Sequence, residues 1–156
     1  MALQVGDPAP LFTLLDSDKN EVSLENFKGE NVLLLFYPFA FTGTCTAELC
    51  AMRDNLTTYQ NLNASVLALS IDTVFVQAKF KEENALNFPV LSDFNKEVSG
   101  EYDVLYEEFV LGMRGVAKRS AFVIDKEGII QYAEVLEKAS DLPDFEKIKE
   151  KLKSLN

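Results

Sequence analysis

Two cysteines five residues apart, Cys45 and Cys50, stand in a chain of 156 residues that contains no histidine at all. Without histidine the commonest general acid/base is missing, and two thiols alone cannot complete a four-ligand Cys/His zinc site. Any catalysis must come from another group. A thiolate is a nucleophile that needs no histidine when fixed dipoles and a nearby guanidinium hold its charge. The segment Pro38-Phe39-Ala40-Phe41-Thr42-Gly43-Thr44-Cys45 begins where the apolar run Val32–Tyr37 ends. With Thr42 as N-cap, Cys45 takes the third position of a helix, within reach of unsatisfied backbone N–H groups and the positive end of the dipole. That position favours the thiolate over the thiol. Cys45, Leu49, Met52, Leu56 and Tyr59 recur at steps of four, three, four and three, which puts the sulfur on the inward face of this helix. A buried structural cysteine is the commoner fate of a free thiol taken alone. The context weighs the other way: a helix start, a threonine three residues earlier, and a proline seven residues earlier at the end of a strand.

The elements that must hold this segment follow from apolar patterning. Val32–Tyr37, Val66–Ile71 and Phe122–Ile124 are short continuous apolar runs, the signature of strands covered on both faces. Lys126-Glu127-Gly128 is a turn between the third run and Ile129–Ala133, so these two segments are expected to pair as a hairpin at an antiparallel edge. Three helices are expected. The first carries Cys45. The second covers Val74–Asn84 and stops before Pro89. The third carries Phe145, Ile148, Leu152 and Leu155 at helical spacing, with Pro143 in its first turn and lysines near its end. This order describes an α/β, three-layer fold of the thioredoxin type, with a mixed central sheet flanked by helices. No repeat and no linker divides the chain, so residues 1–156 are expected to form one domain.

Composition narrows the partners. Lys plus Arg at 15 against Asp plus Glu at 25 leaves a net charge of −10, which repels nucleic acid and anionic membrane surfaces. No apolar stretch approaches the roughly 20 residues of a membrane-spanning helix. The start, MALQVGDPAP, lacks the basic and apolar regions of a signal peptide, and a reducing, cytoplasmic setting is expected.

Pro38, Thr42 and Cys45 match the Pro-x-x-x-Thr/Ser-x-x-Cys signature, and on it the chain is identified as resembling the peroxiredoxins, thiol peroxidases of thioredoxin fold. The likeness runs over nearly the whole chain. VGDPAPLFTL is similar to the family's opening region, and Lys118-Arg119-Ser120-Ala121-Phe122-Val123-Ile124-Asp125 to its arginine-bearing strand. FAFTGTCTAEL and GMRGVAKRSAFVID most resemble the alkyl hydroperoxide reductase E group, with the PrxQ or bacterioferritin comigratory protein group next. The resemblance implies that Cys45 attacks hydrogen peroxide or an organic hydroperoxide and becomes sulfenic acid. It further implies that Thr42 hydrogen-bonds the peroxide, that Pro38 shields the sulfur, and that Arg119 holds the thiolate and polarises the O–O bond. No cofactor and no metal are implied.

Both groups carry a glutamate three residues after the reactive cysteine, and Glu48 is expected to orient Arg119 and be neutralised by it; a solvated helix glutamate is the alternative. In the PrxQ group a cysteine at the position of Cys50 resolves the sulfenic acid, which makes Cys50 a resolving candidate. Ideal helix geometry separates the two Cα atoms by roughly 8.7 Å and about 140°. A disulfide needs about 4.4 to 6.8 Å, so the helix start would have to unwind. A bridged route, reduced by an external dithiol protein of thioredoxin or glutaredoxin type, and a one-Cys route with Cys50 idle are both open. So are a homodimer and a monomer. From a different class, the chain would be a non-catalytic thioredoxin-fold interaction protein in which Cys45 only packs and Phe39, Phe41 and Phe109–Met113 form a binding surface.

Overall fold

The computed structural model describes residues 3–156. Within its sheet, β3 (Asn31–Phe36) pairs in parallel with β4 (Ala64–Ser70) and antiparallel with β6 (Ser120–Ile124). Leu33 through Phe36 have no exposed surface, and with both faces covered an uninterrupted apolar run is the pattern such a strand must show. Burying each leucine here stabilises the fold by roughly 1.5–3 kcal/mol. β7 (Ile130–Val135) closes one edge as the antiparallel hairpin partner of β6, as the Lys126–Gly128 turn foretold. The other edge is built from segments with no strong signal: β5 (Val90–Ser92), β1 (Thr13–Asp16) and β2 (Glu21–Ser23). The seven strands lie in the order β2-β1-β5-β4-β3-β6-β7.

Alternating side chains of β3 feed two cores. Leu33, Leu35 and Tyr37 pack with residues of α1 (Gly43–Asp54), α2 (Leu56–Asn61), α3 (Val74–Asn84) and α5 (Phe145–Ser154). Val32, Leu34 and Phe36 pack with Phe12, Leu24, Tyr102 and Val98, the last on the short helix α4 (Glu97–Glu101). Helix, sheet and a second covering layer make the mixed α/β architecture expected from the sequence.

Two local expectations are corrected. The apolar stripe from Cys45 to Tyr59 is buried throughout, but it spans two helices, because the backbone leaves helical geometry at Asn55 (φ −110°, ψ 10°). A stripe continues across such a break as long as the same face stays inward. Pro143 lies outside α5, not in its first turn: Asp144 is the N-cap, and its carboxylate accepts the Lys147 N–H at 3.2 Å. A side-chain acceptor at the helix start is the stronger signal of the two.

Candidate active site

The chain leaves β3 at its C-terminal end, runs through Tyr37–Phe41, and enters α1 with Thr42 in extended geometry at the N-cap (φ −100°, ψ 153°). This is where open α/β sheets place their crevices. Phe41 immediately before it is left-handed (φ 65°), a conformation that costs a side-chain-bearing residue on the order of 1–3 kcal/mol. Three contacts hold it. The Ala40 N–H donates to Asp72 Oδ2 at 2.7 Å, the Thr42 hydroxyl donates to the Phe39 carbonyl at 2.9 Å, and the Phe41 ring packs edge-on against Phe80 at 5.2 Å. The Thr42 hydroxyl therefore does not cap α1, although its backbone stands at the N-cap position; its proton is used on the loop.

Cys45 is the third residue of α1 and only 1% exposed. Arg119, the residue just before β6, reaches across the sheet end to it: Nη2 stands 3.1 Å from Sγ. Nη1 of the same guanidinium donates to Glu48 Oε1 at 2.7 Å, one helical turn further along α1. The guanidinium is fixed from a third side by the Ala139 carbonyl, which accepts from Nε at 3.2 Å and from Nη2 at 3.0 Å. Its neighbour Lys118 points the other way, toward Glu137 at 2.8 Å, as strand alternation requires.

A carboxylate, a guanidinium and a thiol thus meet with almost no solvent contact. Burial pushes the Glu48 carboxyl up to about 7, and the Arg119 charge and hydrogen bond, which pull it down, do not offset this. Glu48 Oε2 has no hydrogen-bond partner, which adds to the cost of its ionised form. For Arg119 burial works against the charge, but Glu48 and Cys45 outweigh it and the cation is retained.

Cys45 and Arg119 border a cleft of about 830 Å³ whose lining also includes Pro38, Phe39, Thr42 and Phe109. Pro38 is buried at its base, and Phe39 meets Phe109 at the rim with ring centres 6.2 Å apart. The structure brings together Cys45, Thr42, Pro38, Glu48 and Arg119. It leaves Cys50 apart: half-buried, on another face of α1, with Sγ 3.5 Å from Asn84 Oδ1. Both cysteines are free.

Two participants were not read from the sequence. The Ala139 carbonyl is a backbone group and carries no residue signature. Asp72 had one: it follows the C-terminal end of β4, next to the crevice, and its carboxylate also accepts the Ser70 hydroxyl at 2.7 Å. Among the described residues no cluster of three or more His, Cys, Asp or Glu side chains could hold a metal ion, and no helix is long and apolar enough to cross a membrane.

Known proteins share this arrangement of elements. Alkyl hydroperoxide reductase E of Mycobacterium tuberculosis is 40% identical over 136 residues, covering 85% of this chain and 86% of that protein. Peroxiredoxin Bcp of Escherichia coli is 37% identical over 132 residues, covering 83% and 84%. The crystal structure of peroxidoxin BcpB from Mycobacterium tuberculosis superposes with a TM-score of 0.87 at 30% identity over 99% of both chains. The AhpC/TSA family profile matches residues 5–133, and with these relatives it shows that the chain belongs to the AhpC/TSA family of peroxiredoxins.

Proposed function

We propose that this thiol-dependent peroxidase works through Cys45, which reduces hydrogen peroxide or organic hydroperoxides entering the cleft beside Thr42 and Arg119. The observation that carries the assignment is the single guanidinium shared by Cys45 Sγ at 3.1 Å and Glu48 Oε1 at 2.7 Å. A cation fixed from three sides stabilises the thiolate before reaction, and it needs no reorganisation when charge moves to the leaving oxygen. The Cys45 thiolate attacks the terminal oxygen of the peroxide. An S–O bond forms as the O–O bond breaks, sulfur is oxidised by two electrons, and the other oxygen leaves as water or an alcohol after taking a proton. Thr42 accepts the hydrogen bond of the peroxide O–H, its own proton being occupied by Phe39. Pro38 keeps bulk water from the sulfur, and Glu48 is a positioning residue for Arg119.

The Cys45 sulfenic acid then condenses with the Cys50 thiol, giving the disulfide and one water, and an external dithiol protein of thioredoxin or glutaredoxin type reduces the bridge. One observation favours a second reading, in which an external thiol attacks the sulfenic acid directly: α1 is an unbroken helix from Gly43 to Asp54, and Cys50 is engaged with Asn84. Peptide mapping of oxidised protein separates the two. A Cys45–Cys50 bridge supports the first; a lasting Cys45 sulfenic acid with wild-type turnover in Cys50→Ser supports the second.

The cytoplasm suits two free thiols. Val110 and Leu111, 60% and 94% exposed at the cleft, suit a homodimer whose interface lies beside the site, which light scattering tests in both redox states. The decisive experiment for the activity is competition with a haem peroxidase for hydrogen peroxide, since the chain has no tryptophan to report oxidation. Cys45 should outcompete free cysteine by orders of magnitude. A rate equal to that of free cysteine overturns the assignment and leaves a packing role.

A further inference from the structure

Cys50 is the chemically active side chain that the first oxidation does not use, and its surroundings differ from those of a residue merely exposed. The Cys50 S–H points to Asn84 Oδ1 at 3.5 Å, within reach of a sulfur hydrogen bond. The Asn84 side chain cannot turn its amide nitrogen there, because Nδ2 already donates to the Phe80 carbonyl at 3.0 Å. The end of α3 that bears Asn84 is held in turn by Arg53, whose Nη1 donates to the Asn84 carbonyl at 2.6 Å. Arg53 and Cys50 lie three residues apart on α1, so the two helices are clasped together at the resolving candidate.

The two halves of α1 differ in what it takes to open them. Gly43, Thr44, Cys45 and Thr46 are weak helix formers, and Thr42 offers no side-chain cap. Ala47, Glu48, Leu49, Ala51 and Met52 are strong ones, and Cys50 lies among them. The first turn can fray without disturbing Cys50. Joining the sulfurs requires more, since an intact helix turns Cys50 about 140° away from Cys45.

We propose that Asn84 is a positioning residue for the second half of the catalytic cycle: it latches the Cys50 thiol against α3 and so sets how long a Cys45 sulfenic acid survives before it is bridged. The inference rests on the reading of Cys50 as the resolving cysteine. The attacking species in disulfide formation is the thiolate, and a thiol whose S–H is engaged with Asn84 Oδ1 is held away from Cys45. Release of the S–H from Asn84 therefore precedes both rotation of Cys50 and loss of its proton. The step it delays is the condensation of Cys45–SOH with Cys50–SH to the disulfide and water. A delay gives an external thiol time to intercept the sulfenic acid, so the latch governs the division of flux between the bridged and the one-Cys routes.

Two variants separate the latch from a general loosening of α3. Asn84→Ala removes both the acceptor for Cys50 and the donor to Phe80, while Asn84→Asp removes the donor, keeps an oxygen acceptor for Cys50 and adds a negative charge. After one equivalent of hydrogen peroxide, timed thiol trapping should show the disulfide forming about threefold to tenfold faster in Asn84→Ala, the factor expected for one neutral hydrogen bond. Asn84→Asp should be no faster than wild type, and loss of Cys45 thiol should be equally fast in all three. Alkylation of Cys50 by iodoacetamide in a Cys45→Ser background should follow the same order. Equal rates in Asn84→Ala and Asn84→Asp, in either measurement, overturn the latch. A wild-type chain that forms no bridge, with Cys50→Ser turning over normally, overturns the resolving role of Cys50 and the latch with it.

Discussion

Cys45 and Cys50 ride on one helix, five residues apart, and meet opposite surroundings. Cys45 is 1% exposed and faces a guanidinium, whereas Cys50 is half-buried and faces a neutral amide at the C-terminal end of α3. A cation lowers the energy of a thiolate, and a neutral amide supplies no such charge. The sorting is done by helix periodicity. Steps of four and three keep Leu49 and Met52 on the face of Cys45, while a step of five swings Cys50 out toward the neighbouring helix. Reactivity in this chain is therefore a property of facing and neighbours, and the residue type alone is silent about it.

The contrast breaks first at the sulfurs themselves. Cys45→Ser should lose peroxide reduction to background, a fall of more than about 10³-fold expected when the nucleophile of a concerted site is removed. Cys50→Ser should leave the rate of the first oxidation within about twofold, because its surroundings do not include Arg119. Competition kinetics with hydrogen peroxide measures both. If Cys50→Ser lost as much as Cys45→Ser, the division of roles between the two ends of α1 would be wrong.

Arg119 makes the difference between the two environments, so its removal comes next. Arg119→Met keeps most of the volume and deletes the cation; loss of one fixed electrostatic donor should lower the peroxide rate constant by about 10²–10³-fold. It also leaves Glu48 buried without its partner, a loss of roughly 3–5 kcal/mol in urea unfolding near neutral pH when one member of a buried pair is removed. The double variant Arg119→Met/Glu48→Gln should regain stability without regaining activity. Recovery of both together would mean that Arg119 acts through packing alone.

How much of this was visible in the sequence depended on whether a residue's surroundings leave a pattern. β3, β4 and β6 carry continuous apolar runs, Val32–Phe36, Val66–Leu69 and Ala121–Ile124, because both faces are covered, and that is readable. β5 has three residues, β2 three and β1 four, too few for any period to show, and α4 contains a glycine among its five residues. The end of α3 was legible because Pro89 follows it, and at its start the structure adds a Thr73 cap that accepts the Val76 N–H. The break at Asn55 was not, since the buried stripe runs through it. In the site, helical spacing put Cys45 inward, and strand alternation said that at most one of Lys118 and Arg119 faces in without saying which. The choice of Arg119, 74 residues from Cys45, came from resemblance to a family. Asn84 gave no signal at all: its role depends on which helix packs beside α1, which no local pattern states.

Thr42 sharpens the comparison on the substrate side. Thr42→Val should slow peroxide reduction about tenfold, the effect of one hydrogen bond of ordinary strength in the transition state. Thr42→Ser should retain most of the rate, because it keeps both the tie to Phe39 and the free lone pairs. A Val variant as fast as wild type would remove Thr42 from the proposed contacts with peroxide.

Glu48 gives the smallest effect on rate and the clearest effect of pH on stability. Its carboxyl ionises near 7 in the folded chain against 4.5 in an ordinary setting, so between those values the folded chain holds a proton that the unfolded chain has released. Stability must then fall as pH rises through this window, by roughly 3 kcal/mol in all, and level off above it. Asp125, held below its usual range against the pull of burial by backbone and side-chain hydrogen bonds, gives a slope of the opposite sign. Its contribution lies at lower pH, where stability is lost on acidification. Urea unfolding of wild type and Glu48→Gln across the window isolates the Glu48 contribution, because the two chains share every other titrating group. The wild-type curve should descend relative to that of the variant, and parallel curves would show that Arg119 holds the carboxylate charged throughout. The kinetics respond to the same ionisation. With Glu48 ionised, one guanidinium serves two anions, and with Glu48 protonated the Cys45 thiolate has Arg119 to itself. Peroxide reduction by wild type should accordingly show a bend near pH 7 that Glu48→Gln lacks, with the two rate constants within about tenfold of each other, as befits a residue that acts through Arg119 and not on the peroxide.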